Sequence, residues 1–385
     1  MRVLKFGGTS VQDAESIRVV AQILRRRAGE KAVLVFSAVG RTTDRLFALG
    51  RSASGGRLDE SLDAARALRE YHLRIARELL PAGEALWRLE TLCGQFLATL
   101  EGLARSLAVL GDFSPGAQDR LLGTGELLGS SILCEHFRER GLPAEWVDAR
   151  ELVVTSACHT CAEPVLDQTA ARCRSVLLPL VERGLIPVTQ GFIGRSEAGA
   201  ATTLGRGGSD YTASLIGASL GAEEIEIWTD VDGILTADPT LVPEAANIPA
   251  LSFREAAELA FFGARVLHPK TLQPAMDRAI PVRVLNTRRP EGTGTLVLPS
   301  VPPGNGTVRS IAYKEAVTLV NLVSARMFKA HGFLRRVFET LDRLSAAPDA
   351  VATSEVSVSM AFHGFERVEE LALALGEFGS VEVRG

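Results

Sequence analysis

No uninterrupted apolar run in this sequence approaches the roughly 18–20 residues of a membrane-spanning helix, and the short run at 3–6 is far too brief for the core of a secretory leader. There is no excess of positive charge. Lys and Arg total 42 against 46 Asp and Glu, giving a net charge of −4. That balance makes no electrostatic case for nucleic acid or an anionic membrane as partner. Cysteine is scarce, five in 385 residues, and an odd number in so long a chain is not a secreted disulfide framework. Cys158-His159-Thr160-Cys161 has C-x-x-C spacing. Zinc would need a second ligand pair and Cys173 is the sole nearby candidate, so ordinary thiols are expected there and no metal site. The G-x-x-x-x-G-K-[ST] phosphate loop is also missing, as is any solenoid-type repeat. A cytoplasmic location is the default expectation.

What is present is an ordinary globular balance, 46% apolar and 23% charged residues, with length enough for about two domains. Strand-like runs at 3–6, 32–36, 144–147, 186–190, 224–229 and 282–285 alternate with helical patterns, which predicts a largely parallel sheet covered on both faces. Residues 13–27 carry Ile17, Val20, Ala21 and Leu24 on one helical face. A Leu-, Ala-, Arg- and Glu-rich stretch at 59–110 is split into two helices by Pro81 and Gly83, and Ser114-Pro115 reads as an N-cap and first helical residue. Pro and Gly crowd 290–307. Beyond them Val356, Val358, Met360 and Phe362 alternate with polar or small residues, and Phe333, Leu334, Val337, Phe338 and Leu341 mark a helical face. The resulting β-α-β-β-α-β order predicts a small ferredoxin-like domain.

Two glycine turns carry the chemistry. Lys5-Phe6-Gly7-Gly8-Thr9-Ser10 leaves the first strand, where open α/β sheets bind ligands. Bare amides approach an anion there and a lysine adds mobile charge. Leu204-Gly205-Arg206-Gly207-Gly208-Ser209-Asp210 leads into a second helix. Two such turns suggest two anions to be held, as phosphoryl transfer requires. A dehydrogenase reading fails, because Gly123-Thr124-Gly125 has Leu128 where a third glycine is needed and lies in a helical pattern.

These turns, with Trp228-Thr229-Asp230-Val231-Asp232-Gly233-Ile234 and Phe262-Gly263-Ala264-Arg265-Val266-Leu267-His268-Pro269 in the same order, resemble those of aspartate kinases of the amino-acid kinase superfamily. The resemblance implies the amino-acid kinase fold over 1–298, a linker at 299–309, and an ACT-like regulatory domain over 310–385 with the usual second ACT domain missing. It implies transfer of the ATP γ-phosphoryl group to the β-carboxylate of L-aspartate, a step toward lysine, threonine and methionine, with Mg²⁺ carried on the phosphates. Lys5 would stabilise the transition state and Asp210 would hold it. Glu126 would meet the substrate ammonium and Arg206 its α-carboxylate, with hydroxyls from Thr43 and Ser209, and the glycines flanking Glu126, Gly123, Gly125 and Gly129, are expected to let a ligand approach closely.

For the nucleotide, the same resemblance implies Lys5, Gly7, Gly8, Thr229, Asp230, Leu235, Thr240, Arg265 and Val266. Leu235 stands where many relatives have tyrosine, Thr240 where they often have arginine, and Arg265 replaces a lysine. In the C-terminal domain Met327, Gly332, Phe333, Leu334, Asp349, Ser354 and Glu355 match a lysine-binding pattern, from which Ala347-Pro348 departs. L-lysine as inhibitor and a homodimer through that domain are thereby implied. Another acyl-phosphate kinase of the superfamily, or a weakly catalytic lysine-sensing subunit, stand as alternatives.

Overall fold

In the computed structural model, which describes residues 1–261, 267, 269–301, 308–328 and 330–385, the chain divides into two units, Met1–Ile311 and Ala312–Gly385. The first opens with β1 (Arg2–Phe6), α1 (Ala14–Arg26), β2 (Ala32–Phe36) and four helices, α2 (Thr42–Ser54), α3 (Leu58–Leu79), α4 (Glu84–Leu110) and α5 (Pro115–Glu139). There follow β3 (Ala144–Trp146), α6 (Ala149–Leu152), β4 (Val154–Thr155), α7 (Leu166–Glu182), β5 (Ile186–Gln190), β6 (Ile193–Ser196) and β7 (Ala201–Thr203). It closes with α8 (Gly208–Leu220), β8 (Glu224–Thr229), β9 (Ala250–Ser252), α9 (Phe253–Phe261), α10 (Pro269–Asp277), β10 (Val282–Asn286) and β11 (Thr295–Leu298).

Eight strands form one sheet in the order β3-β5-β2-β1-β8-β10-β11-β9. From β3 to β10 every neighbouring pair is parallel, and β11 joins β10 antiparallel. The chain leaves β1 toward β2 on one side and returns at β8 on the other, so the carboxyl end of β1 is a switch point of the topology. A three-stranded sheet, β4-β6-β7, lies apart from it.

The period-2 alternation of β1 decides which side chain faces which layer. Leu4 and Phe6 enter the core shared with α1 to α5, where Phe6 stacks on Phe36 and on Trp228. Val3 enters the opposite core, with Val33, Val35 and the α8 residues Ala213 and Ile216. Lys5 shares parity with Val3 and so emerges on the α8 side. Glu226, buried in β8, is held by both oxygens on the Arg27 guanidinium and takes the Trp228 indole N–H at 2.9 Å. A buried carboxylate is tolerated where it is paired in this way.

The second unit contains β12 (Val317–Val323), α11 (Phe333–Arg343), β13 (Ala350–Thr353), β14 (Ser357–His363), α12 (Val368–Leu375) and β15 (Ser380–Arg384). Its antiparallel sheet runs β13-β14-β12-β15, the β-α-β-β-α-β arrangement expected. Val358, Met360 and Phe362 are buried as their alternation predicts, whereas Val356 is exposed and precedes β14. On α11 the buried stripe is Phe333, Val337 and Leu341, whereas Leu334 and Phe338, expected on the same face, lie beside it and are exposed. No helix of the described residues is long and apolar enough to cross a membrane.

Candidate active site

The site forms where β1 ends. The Gly7 amide donates to the Trp228 carbonyl at 3.1 Å and Ser37 N–H to Phe6 at 3.1 Å, so the ends of β1, β2 and β8 are tied together. A Cβ on Gly8 would stand 2.6 Å from the Gly40 carbonyl oxygen. The loop after β2 therefore closes directly on this turn, which only glycine permits.

Lys5 reaches across to α8, its Nζ 2.6 Å from Asp210 Oδ1, with both side chains mostly buried. Oδ1 has no in-line donor, so the contact is one of charge more than of an aligned hydrogen bond. The amine also lies over the glycine turn, 3.6 Å from where a Gly7 Cβ would sit. Asp210 occupies the first turn of α8, whose N-cap Gly207 is left-handed and contributes no side-chain cap. The leading amides of that helix are thus uncapped by side chains, the standard receptor for an anion. Ser209 Oγ, one residue earlier, accepts from Ser37 Oγ at 3.0 Å.

On the other side stands Glu126, fully buried on α5. It accepts the Ala38 backbone N–H and, at 3.4 Å, the Thr43 hydroxyl, while Oε2 has no partner. Burial pushes its pKa up to about 8, against the downward pull of those hydrogen bonds and of the Lys5 charge. A buried carboxyl with an open oxygen is costly unless something arrives to complete it. The arrangement thus sets a cation and bare amides, fit for an anion, opposite a carboxyl group fit for an ammonium.

Of the residues expected from sequence, Lys5, Gly7, Thr43, Glu126, Ser209 and Asp210 are brought together by these contacts, with Gly8 beside them. Arg206 is exposed between Gly205 and Gly207, both at positive φ, and has no partner among the described residues. Thr229 and Asp230 follow β8 next to β1, the Thr229 hydroxyl 3.2 Å from Asp230 Oδ1. Leu235 bridges to Asn247 farther along. Thr240 is exposed, its amide and hydroxyl both donating to Asp238. Arg265 and Val266 lie outside the described residues, as does most of their motif.

One sequence inference is corrected. Gly123, Gly125 and Gly129 around Glu126 were expected to admit a ligand, and at the last two protein fills the space. Added Cβ atoms there would meet Thr42 Cγ2 at 2.7 Å and Val39 Cγ2 at 3.0 Å. The close approach is made by the loop after β2 and the start of α2.

Sequence reading missed Asp119. It is buried near the start of α5 and receives the Thr203 hydroxyl at 2.6 Å, the Thr160 amide at 3.1 Å and His159 Nδ1 at 2.7 Å. The i, i+7 spacing of Asp119 and Glu126 on one helix was the available signal. Ser37 and the buried pair Ser10–Thr287, 2.6 Å apart, were missed as well. Among the described residues no group of three or more His, Cys, Asp or Glu converges as a metal site.

In the second unit, Gly332 caps α11 in the left-handed region, and Met327 lies in the short turn before it. Phe333 is buried and Leu334 exposed. Asp349 is paired with Lys314 at 2.7 Å. Ser354 Oγ accepts the Val356 and Ser357 amides, and Glu355 is exposed with no partner among the described residues.

The sequence model described as "Amino acid kinase family" matches residues 1–286. The chain is 37% identical to aspartokinase 2, chloroplastic, of Arabidopsis thaliana over 93% of its own length, and spans 65% of that relative, less than two thirds. It is 39% identical to lysine-sensitive aspartokinase 3 of Escherichia coli (strain K12), covering 93% of this chain and 77% of the relative. The crystal structure of E. coli aspartokinase III in complex with aspartate and ADP (R-state) superposes with a TM-score of 0.83 at 37% identity, covering all of this chain and 85% of that one. Its complex with lysine and aspartate (T-state) gives 0.82 at 37% identity over the same shares. On these matches the chain belongs to the amino acid kinase family and, within it, to the aspartokinases.

Proposed function

We propose that the chain transfers the γ-phosphoryl group of ATP to the β-carboxylate of L-aspartate, giving 4-phospho-L-aspartate. The observation that carries this reading is Lys5, held on Asp210 at 2.6 Å beside the Gly7 turn and opposite the buried, incompletely bonded Glu126. A carboxylate nucleophile, with a reference pKa near 3.9, is deprotonated at neutral pH and needs no general base. The remaining work is to hold two anions in line and offset the charge spread over the transferring group. Lys5 does this, with Asp210 keeping the amine over the turn. Glu126 receives the α-ammonium and Arg206 takes both α-carboxylate oxygens on its planar guanidinium. Thr43 and Ser209 add neutral hydrogen bonds.

The nucleotide lies on Gly7, Gly8, Thr229 and Asp230, with Leu235, Thr240, Arg265 and Val266 completing its surroundings. Mg²⁺ arrives on the phosphates, in keeping with an ion that retains its waters and seldom sits in an all-protein cage. The aspartate and ADP in the E. coli aspartokinase III complex support this choice of substrates. Steady-state ADP release should depend on L-aspartate and vanish without it. ADP released equally in its absence would mark an ATPase of another kind.

A second role is favoured by the C-terminal unit. Residues 310–385 are a regulatory domain, joined by 299–309 to a catalytic domain at 1–298, and L-lysine binds between two copies of it in a homodimer. The unpartnered Glu355 and the left-handed Gly332 at the start of α11 support the assignment, as does the lysine bound in the E. coli T-state complex.

A further inference from the structure

We propose that Cys158 and Cys161 close a reversible disulfide that shifts the Gly205 turn and weakens capture of the substrate α-carboxylate; the second half rests on the role proposed for Arg206. The two sulfurs stand 3.7 Å apart and both residues are exposed. Cys93, Cys134 and Cys173 are buried, so no other cysteine competes for an oxidant in solution. A disulfide draws its sulfurs to about 2.0 Å, so closure here asks for local movement alone.

The pair is mechanically connected to the site. Between the two cysteines, His159 and the Thr160 amide are pinned to the buried Asp119, and Thr160 sits at φ 66°, strained for a β-branched residue. Ala162, the residue after Cys161, donates its amide to the Thr203 carbonyl at 2.9 Å, at the end of the strand that leads into Gly205. A Cβ on Gly205 would lie 3.1 Å from the Thr160 carbonyl oxygen and 3.6 Å from Cys161 Cα. The loop and the turn are therefore in van der Waals register. Bond formation moves residues 158–161 against Gly205, and Arg206 is the next residue along. Gly205 has no side chain of its own with which to absorb the displacement.

The oxidant is a low-molecular-weight disulfide. One cysteine thiolate attacks a sulfur of that disulfide and expels a small thiol, leaving a mixed disulfide on the protein. The second cysteine then displaces the other small thiol. Two protein thiols are oxidised, one small disulfide is reduced to two thiols, and the two protons leave on them. A dithiol reverses every step.

The test is to equilibrate the intact protein with oxidised glutathione, then read free thiols, intact mass and steady-state constants. The expected result is loss of the Cys158 and Cys161 thiols without a retained glutathione adduct, a severalfold rise in KM for aspartate with KM for ATP unchanged, and reversal by dithiothreitol. Cys158→Ser and Cys161→Ser should each keep the parent's kinetics when reduced, and should retain one glutathione after oxidation in place of the internal bond. Thiols that stay reduced in an active enzyme overturn the disulfide, and oxidation with an unchanged KM for aspartate overturns its link to Arg206. Clean oxidation in a protein that never turns over aspartate would instead strike at the proposed substrate.

Discussion

Asp119 and Glu126 stand two turns apart on α5, both buried, and they are treated oppositely by their surroundings. Asp119 is saturated by His159, the Thr160 amide and the Thr203 hydroxyl. Glu126 keeps an oxygen with no partner, and its carboxyl is pushed up to about 8 by burial. One carboxylate is spent on holding protein against protein. The other is left incomplete toward the site, and the predictions below follow largely from that contrast.

Aspartate binding should release a proton. At neutral pH the empty site holds Glu126 protonated, since its pKa is about 8, and an arriving ammonium favours the carboxylate. Calorimetry of aspartate binding in two buffers of different ionisation enthalpy should show proton release below about pH 8. Glu126→Gln should abolish that release and raise KM for aspartate far more than KM for ATP. Buffer-independent heat in the parent contradicts the assignment.

The same group gives a stability prediction with a definite sign. Its carboxyl titrates near 4.5 in an unfolded chain and about 8 in the folded one. Between those values the native state keeps a proton that the unfolded state has lost, so this group's contribution falls as pH rises through the window. Thermal melts of the ligand-free protein should show Glu126→Gln gaining on the parent from about pH 5 to about pH 8 and no further above it. A constant difference across that range would mean that Glu126 is ionised in the empty site.

Removing the saturated partner should act differently. Asp119→Ala strands the Thr203 hydroxyl and the Thr160 amide, a loss of about 1–3 kcal/mol for each buried group left unpaired. A lower Tm is expected, together with a KM for aspartate that rises more than that for ATP, because the Gly205 turn leans on the loop that Asp119 holds. A lowered Tm with both constants unchanged would reduce Asp119 to a purely structural residue.

Much of this site was legible because its signals are local. A lysine and two glycines directly after an apolar run can be read without knowing what they pack against, and the parity of β1 then assigns Lys5 to the α8 side. Asp119 could not be read in that way. Its partners lie 40, 41 and 84 residues away, and its i, i+7 spacing from Glu126 signals a shared helix face but not a long-range clamp. The strands of the small sheet, two to four residues long, are too short for a period to show. Gly125 and Gly129 beside Glu126 were visible but misread, because sequence does not distinguish a neighbouring loop from a ligand as the reason for a missing Cβ. The β-α-β-β-α-β order of the C-terminal unit was legible from strong amphipathic periods, although Val356 fell outside its strand.

For the nucleotide, Leu235→Tyr should tighten ATP binding. An aromatic ring restored at this position is worth about 0.5–1.5 kcal/mol of stacking, a severalfold change in Kd. Titration of ATP against parent and variant checks it, and equal dissociation constants would remove Leu235 from the nucleotide site.

The most direct measurement of the central claim traps the product. Hydroxylamine converts an acyl phosphate to a stable hydroxamate, so incubation with Mg-ATP and L-aspartate, L-glutamate or acetylglutamate in turn identifies the acceptor. The account predicts β-aspartyl hydroxamate from aspartate and at most traces from the other two. It also predicts loss of that product in Lys5→Ala, on the scale of about 3–4 kcal/mol in transition-state stabilisation, with the protein still folded. Hydroxamate formed from glutamate or acetylglutamate instead of aspartate, or formed within tenfold of the parent rate by Lys5→Ala, would contradict it.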